Sequence, residues 1–145
     1  MTCCPIFTVF EEKTLLLKEY THWKLLVRNR STTLGNCVAI TKKHHESFSD
    51  VTPEEMKEFS LVVKDIERAL RNAFQFDLMN YLMLMMKDKH THFHIIPRYA
   101  SSRTFNRVEW TDADWPGASK IIGQIRTDIS LEYLQTVKEE IKKYI

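Results

Sequence analysis

Apolar and polar positions along the chain predict an alternation of short strands and two helices. Between Thr21 and Asn29, Trp23, Leu25, Leu26 and Val27 sit among polar residues in a strand-like run, and Arg30 to Gly35 reads as a turn. A second strand is predicted over Cys37 to Thr41, making an antiparallel hairpin with the first. The stretch Ser49-Asp50-Val51-Thr52-Pro53-Glu54-Glu55 offers a cap residue, a proline for the first helical position and acids for the first turn. From there Met56, Phe59, Val62, Val63, Ile66, Leu70 and Phe74 recur at mostly three- and four-residue spacing, so a helix with one apolar face should run to about Phe74 and cover a sheet. Leu78 to Met86 is almost wholly apolar and suits a central strand buried on both faces. Lys87-Asp88-Lys89 then turns the chain into a strand that begins at His90, and Pro97 is expected to end its pairing. Beyond Pro97 the segment to about Ala118 is irregular, and Ser130 to Tyr144 has the period of a final amphipathic helix.

The fold class this implies is α+β: an antiparallel sheet of about five strands, one long covering helix and a C-terminal helix. The β-α alternation is too irregular for a doubly wound parallel sheet. No repeat or Pro/Gly-rich linker divides the 145 residues, so we expect a single domain over 1–145, with a core at about 25–98 and a C-terminal extension over 99–145.

Composition narrows the function classes without choosing one. A formal net charge of +2 is too small for a surface that coats nucleic acid. The three cysteines, Cys3 and Cys4 adjacent and Cys37 alone, are not the even, spaced set of a disulfide framework, which fits a reducing compartment. The longest apolar run, Tyr81 to Met86, falls far short of the ~20 residues that span a bilayer. No basic region followed by an apolar stretch opens the chain, so a secretory signal is not expected and a cytoplasmic location is.

The chemistry is concentrated in His90-Thr91-His92-Phe93-His94. Successive side chains of a strand point to opposite faces, so the three imidazoles share one face at a repeat of roughly 6.6–7 Å, close enough to engage one phosphate group together. Imidazole has an unperturbed pKa near ~6.5, so a neutral nucleophilic ring and a charged donating ring are both accessible at physiological pH. With one nitrogen of His92 held by a backbone carbonyl, the other could displace a leaving group from phosphorus. His90, His94 and Arg98 would then hydrogen-bond the non-bridging oxygens. A single histidine on a strand is ordinarily a surface or satisfied core residue; three at alternate positions are not. The rival reading is a metal site, to which His44-His45-Glu46 could add ligands, although sequence neighbours diverge in an extended chain and no cysteine pair stands at ligand spacing.

His90-Thr91-His92-Phe93-His94-Ile95-Ile96, followed by Pro97-Arg98, resembles the signature of the histidine-triad (HIT) family, and the order of Leu34-Gly35, the Cys37 to Ile40 strand, Lys42-Lys43-His44 and the Asp50 to Glu55 helix start is similar as well. The likeness covers roughly Leu25 to Arg98. It implies an antiparallel α+β fold, a homodimer, no cofactor, and hydrolysis or transfer at the α-phosphate of a nucleotide conjugate such as a dinucleoside polyphosphate, a nucleoside phosphoramidate or a nucleotide sugar. By motif position His92 is the nucleophile, and His90 and His94 are the flanking catalytic histidines. The chain departs from the family in two places. Many members carry a Gly- and Gln-containing phosphate loop before the triad, where this chain has Lys87-Asp88-Lys89 and no glycine between Gly35 and Gly117. Members often place Asp or Asn before the hairpin turn to hold the ribose, where the nearest polar residues here are Arg28 and Asn29. Arg28, Asn29, Asn80, Lys87 and Arg98 are therefore the substrate-binding candidates, each with a plainer alternative: an exposed strand charge, a turn former, a satisfied amide, a solvated lysine. His44 could reach the site from the hairpin end. Trp23, Leu26 and Phe76 could meet a base or simply build core, and specificity is expected in the segment holding Arg103, Trp110, Trp115 and Pro116. Two other functions stay open: a nucleotide-binding regulatory module with little turnover, and a metal-dependent phosphoesterase.

Overall fold

The computed structural model describes residues 4–119 and 125–145. Five strands, β1 (Leu16–Glu19), β2 (Trp23–Val27), β3 (Cys37–Thr41), β4 (Leu78–Leu82) and β5 (His92–Arg98), form one antiparallel sheet in the order β1-β2-β3-β5-β4. Two four-residue helical turns, α1 (Ile6–Val9) and α2 (Glu12–Leu15), precede it. The long helix α3 (Pro53–Phe74) lies between β3 and β4, and α4 (Leu131–Lys142) follows a small hairpin made of β6 (Arg103–Phe105) and β7 (Val108–Trp110).

The predicted helix forms because its ends are chemically defined. Thr52 and Glu55 exchange side-chain to backbone hydrogen bonds in a capping box, Pro53 opens the first turn, and Gln75 stops the helix in a left-handed conformation. Val62, Ile66, Ala69, Leu70 and Phe74 are buried against the sheet. Met56, expected on that face, is exposed, and the buried residue of the first turn is the capping Glu55. At Gly35 the β2–β3 turn passes directly under this helix. Its φ of 83° and the 2.9 Å that would separate a Cβ from Leu70 Cδ2 both require glycine.

Pleating sorts the sheet into two faces. Trp23, Leu25, Val27, Cys37, Ala39 and Ile95 face α3 and α4 in the main core, which also takes Leu134, Val137 and Ile141 from α4. The C-terminal helix is thus part of the central core, not an appendage. The opposite face carries Leu26, Val38 and Ile40, covered by Ile6 and Phe10 of the N-terminal segment.

Two expectations fail, for physical reasons. The apolar run Leu78 to Met86 is not a central strand: β4 is an edge, Leu78 is 54% exposed, and after Leu82 the chain leaves the sheet, with Met86 66% exposed. The inner strands are β2, β3 and β5, and β3 is buried throughout. Nor does Pro97 end the pairing, since it sits opposite Met79 and the β4 register continues to Arg98 opposite Leu78. Its carbonyl faces the β3 side, where β3 has already ended and the Thr33 hydroxyl donates to it at 2.7 Å, so the missing N–H costs no ladder bond. Unforeseen elements are α1, α2, β1 and the β6–β7 hairpin, whose Asn106 and Arg107 both have positive φ, as a tight two-residue hairpin turn demands.

Candidate functional site

The site is built on the face of the sheet opposite α3 and α4, which the N-terminal segment partly covers. His92 lies opposite Ile40, and His94 opposite Val38. Their rings stand 5.0 Å apart, nearly perpendicular, beneath Phe10, whose ring centroid is 5.7 Å from His92 and 6.4 Å from His94. His92 Nδ1 lies 2.7 Å from the His90 carbonyl, which can only accept, so Nδ1 carries the proton and Nε2 of the neutral ring is the lone-pair nitrogen.

His90 stands apart from this pair. It precedes β5, and its Nε2 donates to the Thr41 carbonyl at 2.6 Å. Its Nδ1 faces Cys4 Sγ at 3.1 Å and His44 Nδ1 at 3.2 Å. Cys4, His44 and His90 together bring one sulfur and two imidazole donors within 4.8 Å of one another, a set whose chemistry suits a soft or borderline transition-metal ion. The backbone here is tightly held: the His45 carbonyl accepts from both the N–H and the hydroxyl of Thr91, and Thr41 donates to the Thr91 carbonyl. His45 itself is fixed by its Nε2–H, which donates to both carboxylate oxygens of the buried Glu55 at 2.9 and 3.0 Å.

A cavity of about 350 Å³ opens in front of His92 and His94, with Arg28, Arg30, Lys87 and Asp88 around it and Leu84 and Met86 as an apolar wall. Arg28 follows β2 on this face and is buried, and among the described residues its Nε and Nη1 have no hydrogen-bond partner. Burial, and secondarily Arg30, push its pKa down to about 10. Burial, with Arg28 and then His92 adding to it, pushes His94 down to about 3, so that ring is neutral at physiological pH. Its buried Nδ1 also lacks a partner. His90 is lowered too, chiefly by burial, against the opposing pull of the Thr41 carbonyl.

The sequence candidates therefore separate. His92, His94, Arg28 and Lys87 converge on one cavity. Asn29 is turned away, its amide donating to the Val9 carbonyl at 2.8 Å. Arg98 and Asn80 share the triad face but serve the C-terminal segment: Arg98 makes a two-pronged pair with Asp112 at 2.6 and 3.0 Å and donates to Asn80 Oδ1 at 2.8 Å. They line a separate cavity of about 500 Å³ together with Trp115 and Pro116. Arg103 lies over Tyr99 and bonds the carbonyls that end α3, while Trp110 is buried and donates to Tyr133. Trp23 is core and donates to the Glu55 carbonyl, Leu26 lies under the triad face, and Phe76 packs on the main core beside Arg71. Sequence reasoning passed over Arg30, Phe10 and Asn36. Asn36 is wholly buried and ties the hairpin loop to β5 by donating to the Ile95 carbonyl while accepting from Thr32. A buried amide beside a turn leaves no periodic trace.

Residues 9–101 match the HIT domain, which takes in more than half of the chain and every strand of the main sheet. The chain belongs to the HIT family. Among HIT relatives, Protein hit of Bacillus subtilis is 34% identical over 87 residues, a stretch that spans 57% of this chain and 60% of the relative. A histidine triad protein of Sinorhizobium meliloti superposes with a TM-score of 0.73 at 14% identity, covering 95% of this chain and 94% of its own. The diadenosine triphosphate hydrolase of Plasmodium falciparum, solved with cyclomarin A, superposes with a TM-score of 0.64 at 20% identity over 92% of this chain and 77% of that one. These likenesses establish the HIT fold.

Proposed function

We propose that this HIT protein is a nucleotide hydrolase or nucleotidyltransferase that works through a covalent nucleotidyl-histidine on His92. The single observation that supports this most is the His92 ring itself: Nδ1–H is spent on the His90 carbonyl, and Nε2 is left as the lone-pair nitrogen beside the cavity. In the first step the Nε2 lone pair attacks the α-phosphorus and forms a P–N bond. The bond from phosphorus to the leaving group breaks, and that group departs with the electron pair and takes a proton from solvent. In the second step water, or another acceptor, adds its oxygen to phosphorus, the P–N electron pair returns to Nε2, and the proton water loses passes to solvent, replacing the one taken by the leaving group.

His94 serves as a donor to the non-bridging oxygens, whose charge stabilisation carries most of the catalysis in phosphoryl chemistry, and Arg28 adds positive charge beside it. Lys87 adds positive charge at the rim. His90 acts at one remove, its carbonyl setting the His92 tautomer. The chain needs no cofactor for this route. It works in the cytoplasm as a homodimer, and nucleotide conjugates are its partners.

The test is capture of the acid-labile adduct. Wild-type protein mixed briefly with a fluorogenic nucleoside phosphoramidate and quenched should gain one nucleotidyl mass on the peptide containing His92. His92→Asn should show no adduct and lose at least ~10³-fold in turnover. Near-normal turnover in that variant would refute the nucleophile. Tight nucleoside monophosphate binding by calorimetry, with no product and no adduct in the wild type, would point to a regulatory binding module.

A further inference from the structure

Arg28 is the buried cation that the fold leaves uncompensated. It is only 9% exposed, two of its nitrogens have no partner, and among the described residues no ion pair includes it. Among the described residues, its charged neighbours around the cavity worsen the imbalance: Arg30 and Lys87 are also positive, and Asp88 is the one carboxylate there. The histidine beside it is neutral and brings no negative charge. Three cations against one anion leave a surplus of two positive charges. The α-phosphoryl of a nucleotide conjugate carries one negative charge, so the phosphate that His92 attacks balances half of that surplus.

The chemistry of the side chain fixes what can balance the rest. A guanidinium has five N–H donors and no acceptor, so it cannot accept from ribose hydroxyls as a carboxylate would. Its planar fork matches two oxygens of a phosphate. A charge held out of water with no partner is unfavourable, and it persists where a ligand supplies the missing anion.

Building on the nucleotidyl-transfer reading, we propose that Arg28 is a receptor for a second phosphate, so that the site selects nucleotides bearing a phosphate besides the one at the reacting centre. That second group has two sources with the same chemistry: the next phosphate of a polyphosphate chain, or a phosphate on the ribose.

Three probes separate them by calorimetric titration: adenosine 5′-monophosphate, adenosine 5′-diphosphate and adenosine 3′,5′-bisphosphate. In the wild type one of the two bisphosphorylated probes should bind at least ~10-fold more tightly than the monophosphate, and which one identifies the source. Arg28→Met should bring that ratio near one, and Arg28→Lys, which keeps the charge without the fork, should retain part of it. Equal affinities of all three probes for the wild type overturn the assignment, as does an advantage that survives in Arg28→Met. Should Arg28→Met fail to fold, the wild-type ratio and its partial loss in Arg28→Lys decide. Hydrolysis of adenosine 5′-phosphoramidate by the wild type keeps the two readings distinct. Turnover with equal affinities removes the Arg28 role alone, whereas an Arg28-dependent advantage without turnover removes the covalent mechanism alone.

Discussion

The two faces of the same sheet are built to opposite rules. On the helix side, Leu25, Val27, Ala39 and Ile95 are fully buried among Val62, Ile66 and Leu70, a dry hydrocarbon layer. On the triad side, five buried apolar residues, Ile6, Phe10, Leu26, Val38 and Ile40, share the surface with His92, His94 and an unpaired guanidinium. The strands alternate, so one sequence writes both faces at once: Leu25 and Val27 are buried in the helix-side core while Arg28, one position further, lines the cavity beside His92 and His94. Polar groups left unsatisfied on one face are tolerated because the other supplies the burial that holds the fold together.

The largest effects should therefore divide by face. On the proposed mechanism His92→Asn should abolish turnover and leave folding largely intact, whereas Ile66→Ala should destabilise by about 2–5 kcal/mol through the cavity it opens against the sheet, with turnover retained below the melting transition. Chemical denaturation run beside an activity assay checks both. A variant of either kind that lost both properties equally would break the division.

Arg28→Met is the sharper test, because it should move stability in the opposite direction. Removing a buried charge that has no partner and filling its place with an apolar chain should stabilise the free protein by about 1–3 kcal/mol. Thermal melts in the absence of nucleotide should show a raised midpoint, and a lowered one would mean that the cation is already compensated.

The smallest effect concerns the polar clamp between the faces. Burial alone would raise the Glu55 carboxyl, but the hydrogen bonds from Thr52 and from His45 outweigh it and hold the pKa below its ordinary value of 4.5. A carboxylate depressed in the folded state stabilises in full above the unfolded value and loses that contribution as pH falls through the folded one. Stability should thus drop on acidification below about pH 4.5, and Glu55→Gln should flatten that part of the profile, read from melting temperatures between pH 3 and 6.

Legibility in the sequence followed physical range. The helix from Pro53 to Phe74 was readable because its cap, its proline and its period all lie within the segment. So was the β2–β3 hairpin, with alternating apolar residues on either side of a turn. The edge position of β4 was not, since a continuous apolar run specifies burial but not which neighbours provide it, and Leu84 and Met86 instead wall the cavity. The β6–β7 hairpin was missed because Asn106-Arg107 lacks the glycine that usually announces such a turn.

The sequence by itself determined the period-two spacing of the histidines, and with it the HIT family and the shared face of His92 and His94, because side-chain alternation is a property of any extended chain. Only the tertiary structure decided which polar residues meet them. It drew Arg28 and Lys87 into their cavity, gave Arg98 and Asn80 to Asp112 and the C-terminal segment, and turned His90 toward Thr41, His44 and Cys4. Local geometry fixes the direction in which a side chain leaves the backbone; long-range packing fixes what it finds there.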